Sequence, residues 1–140
     1  VNIEVSDQDN PDVFEALATG VRAFNAKHLG NEKSRPLLAF AKDEAGKVIA
    51  GVAGRTIYNQ FLIEVLWVDE STRGEGLGRK VMMQAENEAK ARGCVAAQVD
   101  TLGFQAPDFY QKLGFEVVGK VTGIPNSPER VFLVKRYDSV

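Results

Sequence analysis

Among 140 residues there is one cysteine, Cys94, and one histidine, His28. That scarcity removes whole classes of chemistry. An internal disulfide and a cysteine-based metal cluster are excluded, and a Ser-His-Asp triad or a histidine metal centre would have to rest on His28 alone. His28 lies in Lys27-His28-Leu29-Gly30, which reads as a helix end where positive charge suits the C-terminal dipole. Nothing around it supports either use, so no metal is expected. Cys94 opens an apolar run and reads as core rather than as a nucleophile. A strong charge of either sign is also missing. The 17 Lys and Arg against 19 Asp and Glu leave −2, which gives no general attraction to nucleic acid or to an anionic membrane. No apolar run approaches the roughly 20 residues of a membrane-spanning helix, and no signal-peptide pattern opens the sequence. The expectation is a soluble, cytoplasmic protein forming a single domain over residues 1–140, with 44% hydrophobic residues to build its core.

What is present concentrates in Arg73-Gly74-Glu75-Gly76-Leu77-Gly78, between the apolar run Ile63–Val68 and a helical pattern from Leu77. A strand, a glycine-rich turn and a helix start together form a pyrophosphate site. Glycine lets the backbone turn sharply and come close to a ligand, while the first N–H groups of the helix and its dipole favour an anion. Arg73 adds a cation with several donors. A dinucleotide fingerprint is the rival, since Asp100 stands at a suitable distance downstream. That fingerprint reads G-x-G-x-x-G inside a repeated βαβ sheet, whereas glycines 74, 76 and 78 give G-x-G-x-G, and one such unit is visible. A Walker A loop is excluded because no Gly-Lys-Ser/Thr follows. A turn with no ligand would need neither three glycines nor the arginine.

The remaining elements follow from periodicity and turn chemistry. Asn2–Ser6 alternates as a short strand. Val13, Phe14, Leu17, Val21 and Phe24 recur at helical spacing, predicting a helix over Pro11–Lys27 that Gly20 weakens or breaks. Strands are expected over Leu37–Lys42, Val48–Thr56 and Phe61–Val68, an antiparallel meander. The stripe Leu77, Val81, Ala85, Ala89 predicts a helix closed by Arg92-Gly93. Val95–Val99 would return parallel to Phe61–Val68, because a helix connects them. A short helix over Phe109–Leu113 and strands over Phe115–Val121 and Val131–Tyr137 complete the chain. The fold class is α/β (α+β): one mixed, mostly antiparallel twisted sheet with helices on both faces.

Two stretches then point to a family. Glu64-Val65-Leu66-Trp67-Val68 followed by Arg73-Gly74-Glu75-Gly76-Leu77-Gly78 resembles the acetyl-CoA-binding core of the Gcn5-related N-acetyltransferases (GNAT), roughly E-x-L-x-V-x-P-x-x-R-G-x-G-x-G. Downstream, Ala106-Pro107-Asp108-Phe109-Tyr110-Gln111-Lys112-Leu113-Gly114-Phe115 is similar to that family's A-x-x-F-Y-x-K-x-G-F segment. Glu70 replaces the proline of the first pattern. Gly103 stands where the second usually carries an asparagine that contacts the pantetheine arm or the diphosphate.

The resemblance implies acetyl-CoA as cosubstrate, held by Leu66, Trp67, Val68, Arg73, Gly74, Glu75, Gly76, Leu77 and Gly78, with Tyr110 over the sulfur. A bulge would splay Phe61–Val68 from its parallel neighbour and admit the cofactor. The reaction implied is direct attack of a neutral amine on the thioester, with the Leu66 N–H polarising the carbonyl. Tyr110 would serve the departing thiolate. Glu64, which shares strand parity with Leu66 and Val68, and Asp100 are the candidates for general base. The acceptor is expected to be a small amine rather than a protein tail. Family members are often dimers, and the final strand, Val131–Tyr137, expected at or near a sheet edge, allows a homodimer. A non-catalytic acetyl-CoA-binding module or sensor remains the alternative.

Overall fold

The computed structural model describes residues 1–137; the last three residues of the expected domain lie outside it. The chain divides into two compact units, Val1–Lys33 and the part from Ser34 onward. In the first, helix α1 (Pro11–Leu29) starts where the sequence signals it. The Asn10 side chain accepts the Val13 N–H at 3.2 Å, and Pro11 fills a position whose N–H would be unpaired anyway. Lys27 and His28 fall in the last turn, complementing the dipole. Gly20 does not break this helix, because one interior glycine costs only about 1 kcal/mol and the helix runs 19 residues. Residues 2–6 form no strand. Alternation chooses which side chains could share a face, but a strand also needs a neighbour for its backbone groups, and this unit contains no other.

The second unit carries β1 (Arg35–Lys42), β2 (Val48–Ile57), β3 (Gln60–Val68), α2 (Leu77–Ala91), β4 (Ala96–Leu102), α3 (Pro107–Lys112), β5 (Glu116–Val121) and β6 (Arg130–Arg136). Its sheet has the order β1-β2-β3-β4-β6-β5. The first three strands are an antiparallel meander, and β4 lies parallel to β3 because α2 carries the chain back between them. The last strand is not at an edge. It is antiparallel to both β4 and β5, so its backbone groups are spent on both sides and β5 is the edge on that side. The expected pairing of subunits through the final strand is thereby removed.

One face of the sheet presents Leu37, Val52, Phe61, Ile63, Val99 and Leu133 to the apolar stripe of α2, where Met82, Ala85 and Ala89 are buried. Cys94 belongs to the same core, as its neighbours in sequence suggested. Lys135 of β6 ties down Glu86 of α2 at 3.1 Å, which fixes the helix that closes the site.

The decisive irregularity lies between β2 and β3. Ala53 faces Val65 but Gly54 faces Ile63, leaving Glu64 as an extra residue in a β-bulge. Gly54 makes the close approach possible, since a Cβ there would sit 2.1 Å from the Leu62 carbonyl oxygen. A bulge bends its strand and increases the local twist. Accordingly β3 pairs with β4 only over Gln60–Leu62 against Ala96–Gln98, and the two strands then part.

Candidate active site

The opening between β3 and β4 is a cleft of about 890 Å³, within the range of sites that hold drug-sized ligands and cofactors. One wall is Leu66, Trp67 and Val68 of β3. Beyond Leu62 the β4-facing edge of β3 has no strand partner, so its N–H and C=O groups, apart from the Val68 carbonyl that Arg73 engages, remain available to an extended ligand. The opposite wall is Val99, Asp100 and Thr101 of β4, with Tyr110 of α3.

At one end stand Arg73, Gly74, Gly76, Leu77 and Gly78, whereas Glu75 does not line the cleft. Gly76 is the N-cap of α2, with φ +75° and no side-chain cap, a left-handed conformation that favours glycine. The first-turn N–H groups of α2 therefore lack the usual internal acceptor and suit an anion. Gly78 is small for a different reason: a Cβ there would meet Val68 at 3.2 Å and the Phe109 ring at 3.3 Å, so the turn packs tightly between β3 and α3. Arg73 donates from Nε to the Val68 carbonyl at 3.2 Å, binding the loop to the end of β3. Just upstream, Asp69 accepts the N–H and hydroxyl of Ser71, and these bonds hold its carboxyl below the ordinary carboxylate range.

Tyr110 is 3% exposed. Its ring is held edge-on by Phe109 at 5.7 Å and Phe115 at 5.3 Å between centroids, while its hydroxyl forms no hydrogen bond among the described residues. Burial, and after it the negative charge of Asp100, push the phenol up to about 12. It is therefore a neutral donor throughout the physiological range. A free tyrosine releases its proton near pH 10, but the native phenol holds it to about 12. The unfolded chain binds fewer protons in that window, so this group's contribution to stability is full below pH 10 and falls as pH rises to about 12. In denaturation titrations, the stability gap between wild type and Tyr110→Phe should stay constant below pH 10 and move against the wild type above it. A gap unchanged to pH 12 would show the phenol to be as well solvated as a free one.

The two carboxylates differ. Asp100 lines the cleft but is ion-paired with Arg130 Nη1 at 2.5 Å. Glu64 also lines it and is exposed. The alternation that would set Glu64 with Leu66 and Val68 is interrupted at Glu64 itself, because this is the bulged residue. Its place on the cleft comes from the bulge, not from parity.

Position 103 does not line the cleft. The Gly103 N–H donates to the Glu129 carbonyl at 2.7 Å, and a Cβ would meet Glu129 Cβ at 3.3 Å. Among the lining residues that sequence reasoning missed are Arg79, Phe104, Gln105 and Lys112. Arg79 and Lys112 adjoin or belong to the quoted motifs and were open to selection as cations. Phe104 and Gln105 lie in a turn with no pattern to mark them.

Comparison with known proteins agrees with this geometry. The acetyltransferase (GNAT) family pattern matches residues 4–115. Blasticidin-S acetyltransferase of Streptomyces morookaense is 35% identical over 107 residues, which cover 74% of this chain and 79% of that protein. An acetyltransferase of Agrobacterium fabrum is 28% identical over 137 residues, 98% of this chain and 100% of the relative. The crystal structure of an acetyltransferase from Bacillus cereus is 30% identical and superposes with a TM-score of 0.82, covering 95% of this chain and 97% of the other. A family match over residues 4–115, joined to a strand pair that parts beside a glycine-rich helix start, makes this chain a member of the acetyltransferase (GNAT) family and an N-acetyltransferase.

Proposed function

We propose that the protein transfers the acetyl group of acetyl-CoA to the primary amine of a small acceptor by direct attack on the thioester. The observation that carries this reading is the cleft itself. An unpartnered strand edge, an anion-binding helix start and a buried tyrosine donor open onto one space, and a molecule with phosphates at one end and a thioester at the other needs those three features in that order. The Gly74–Gly78 backbone holds the diphosphate, with Arg73 fixing the loop. The free edge of β3 at Leu66 and Val68 pairs with the amides of the pantetheine arm.

In the transfer, the amine nitrogen bonds to the carbonyl carbon and the carbon–sulfur bond breaks. The Leu66 N–H faces the oxygen as it gains negative charge, a preorganised donor of the kind that lowers acyl-transfer barriers. The ammonium proton leaves through water to Glu64, a cleft carboxylate with no ion pair among the described residues, while Asp100 is held by Arg130. Tyr110 donates its phenolic hydrogen bond to the departing sulfur. Small-molecule acceptors are favoured by the similarity to blasticidin-S acetyltransferase, and a Bacillus subtilis protein named a putative phosphinothricin acetyltransferase, 31% identical over 116 residues, points the same way.

Calorimetric titration with acetyl-CoA, with NAD in parallel, tests the cofactor. Micromolar binding of acetyl-CoA and no response to NAD is expected. Thiol release in the presence of blasticidin S, phosphinothricin and a panel of polyamines then tests the transfer. Binding without release on any amine would favour a non-catalytic sensor, and no binding at all would sink the reading.

A further inference from the structure

On β4 the side chains of Ala97, Val99 and Thr101 are buried, and the alternate residues Gln98 and Asp100 are exposed. Asp100 lines the cleft on the wall it shares with Tyr110, and its charge reaches that phenol and helps to push it up. On β6, Arg130 stands opposite Leu102, while Asp100 stands opposite Phe132. A long side chain spans such a diagonal between neighbouring strands, and Arg130 Nη1 meets Asp100 Oδ2 at 2.5 Å. Glu64 of β3, Arg73 before α2, Arg79 of α2 and Lys112 of α3 are the other charged groups around this space. Among the described residues, Arg130 is the one that pairs with Asp100. The two side chains are 46% and 45% exposed, and a pair so open to water adds little to folding stability. Its place beside the tyrosine gives it a different use.

We infer that Arg130 is a positioning residue for the transfer, cancelling the charge of Asp100 where the departing sulfur becomes negative. The inference rests on the acetyl-CoA reading above, which sets the thioester beside Tyr110. When the carbon–sulfur bond breaks, the sulfur keeps the electron pair. A lone carboxylate on the same wall would oppose that charge, whereas a carboxylate closed into an ion pair opposes it far less. Tyr110 then supplies the hydrogen bond to the sulfur, and Arg130 removes the repulsion. Arg130 acts through Asp100 and needs no contact with the cofactor.

Coenzyme A, the product, tests this without any acceptor. Its bound thiol can be titrated in the ultraviolet, as the difference between complexes with coenzyme A and with desulfo-coenzyme A. Arg130→Met should raise the pH at which this thiol ionises by about one unit, a tenfold change in its ionisation constant. Acetyl-CoA carries no charge at sulfur and should bind this variant within about twofold of wild type, with the melting temperature unchanged. Adding Asp100→Asn to Arg130→Met removes both charges and should return the thiol to its wild-type midpoint. A midpoint that Arg130→Met leaves unmoved overturns the inference, as does a shift that persists in the double variant. Should Arg130→Met fail to fold, Asp100→Asn alone decides the matter. It leaves the Arg130 cation uncompensated and should lower the midpoint, and a midpoint that stays in place overturns the inference. Wild type that binds no coenzyme A would instead remove the functional reading on which the role of Arg130 depends.

Discussion

Tyr110→Phe is expected to lower kcat about 100-fold while leaving the Kd for acetyl-CoA within about twofold. The substitution deletes one oxygen and nothing else. The ring keeps its edge-on contacts with Phe109 and Phe115, and no described group loses a hydrogen-bond partner, so the fold should be unchanged. The size of the effect follows from acidity. A free thiol ionises near 8.5, whereas the buried phenol is pushed up to about 12. Full proton transfer from tyrosine to the leaving thiolate is therefore uphill, and the hydroxyl acts by hydrogen bonding to developing charge. That places it at the lower end of the roughly 10²–10⁴ range for acid–base groups. Steady-state rates with saturating acetyl-CoA, beside calorimetric affinities, would separate the two quantities. An unaltered kcat would reduce Tyr110 to a packed aromatic and leave the sulfur without a donor from α3.

The parts legible in the sequence are those where one residue type meets one local requirement. The α2 start was readable because a left-handed N-cap needs a glycine and Gly76 supplies it. The hairpin of β2 and β3 turns through Tyr58 and Asn59, both at positive φ, a region that asparagine adopts more readily than most residues. The short α3 followed from the local pattern, and the role expected of Tyr110 from a motif. By contrast, features that depend on two distant segments were not readable. The insertion of β6 between β4 and β5 follows from how three strands compete for edges, and no residue of β6 encodes it. Glu64 was given a direction by counting alternate residues, and counting fails at a bulge, whose cause is the close approach of Gly54 on a different strand. Gln105 is the same kind of case, a cleft residue held in place by folding back onto Thr101 and Leu102.

Gly54→Ala should destabilise the protein by more than about 4 kcal/mol, an unusually large effect for one methyl group. A Cβ at this position would lie 2.1 Å from the Leu62 carbonyl oxygen, 2.9 Å from the Phe61 ring and 3.0 Å from Ile63 Cα. Two of those atoms are backbone of the adjoining strand, so no rotamer can relieve the clash. β3 would have to move away from β2 where it also turns from β4, between the paired Leu62 and the bulged Glu64. Phe61 is fully buried in the core and would be displaced with it. A variant that still folded would carry a reshaped cleft, and its affinity for acetyl-CoA should fall along with its stability. Gly119→Ala is the matched control in β5, where an added Cβ meets nothing within 4 Å; its stability should stay within about 0.5 kcal/mol of wild type, as surface substitutions usually do. Urea denaturation of both variants decides the matter. A Gly54→Ala protein within 1 kcal/mol of wild type would mean that β3 can pass Leu62 by another route, and that the bulge, with the opening it creates, does not depend on glycine at this position.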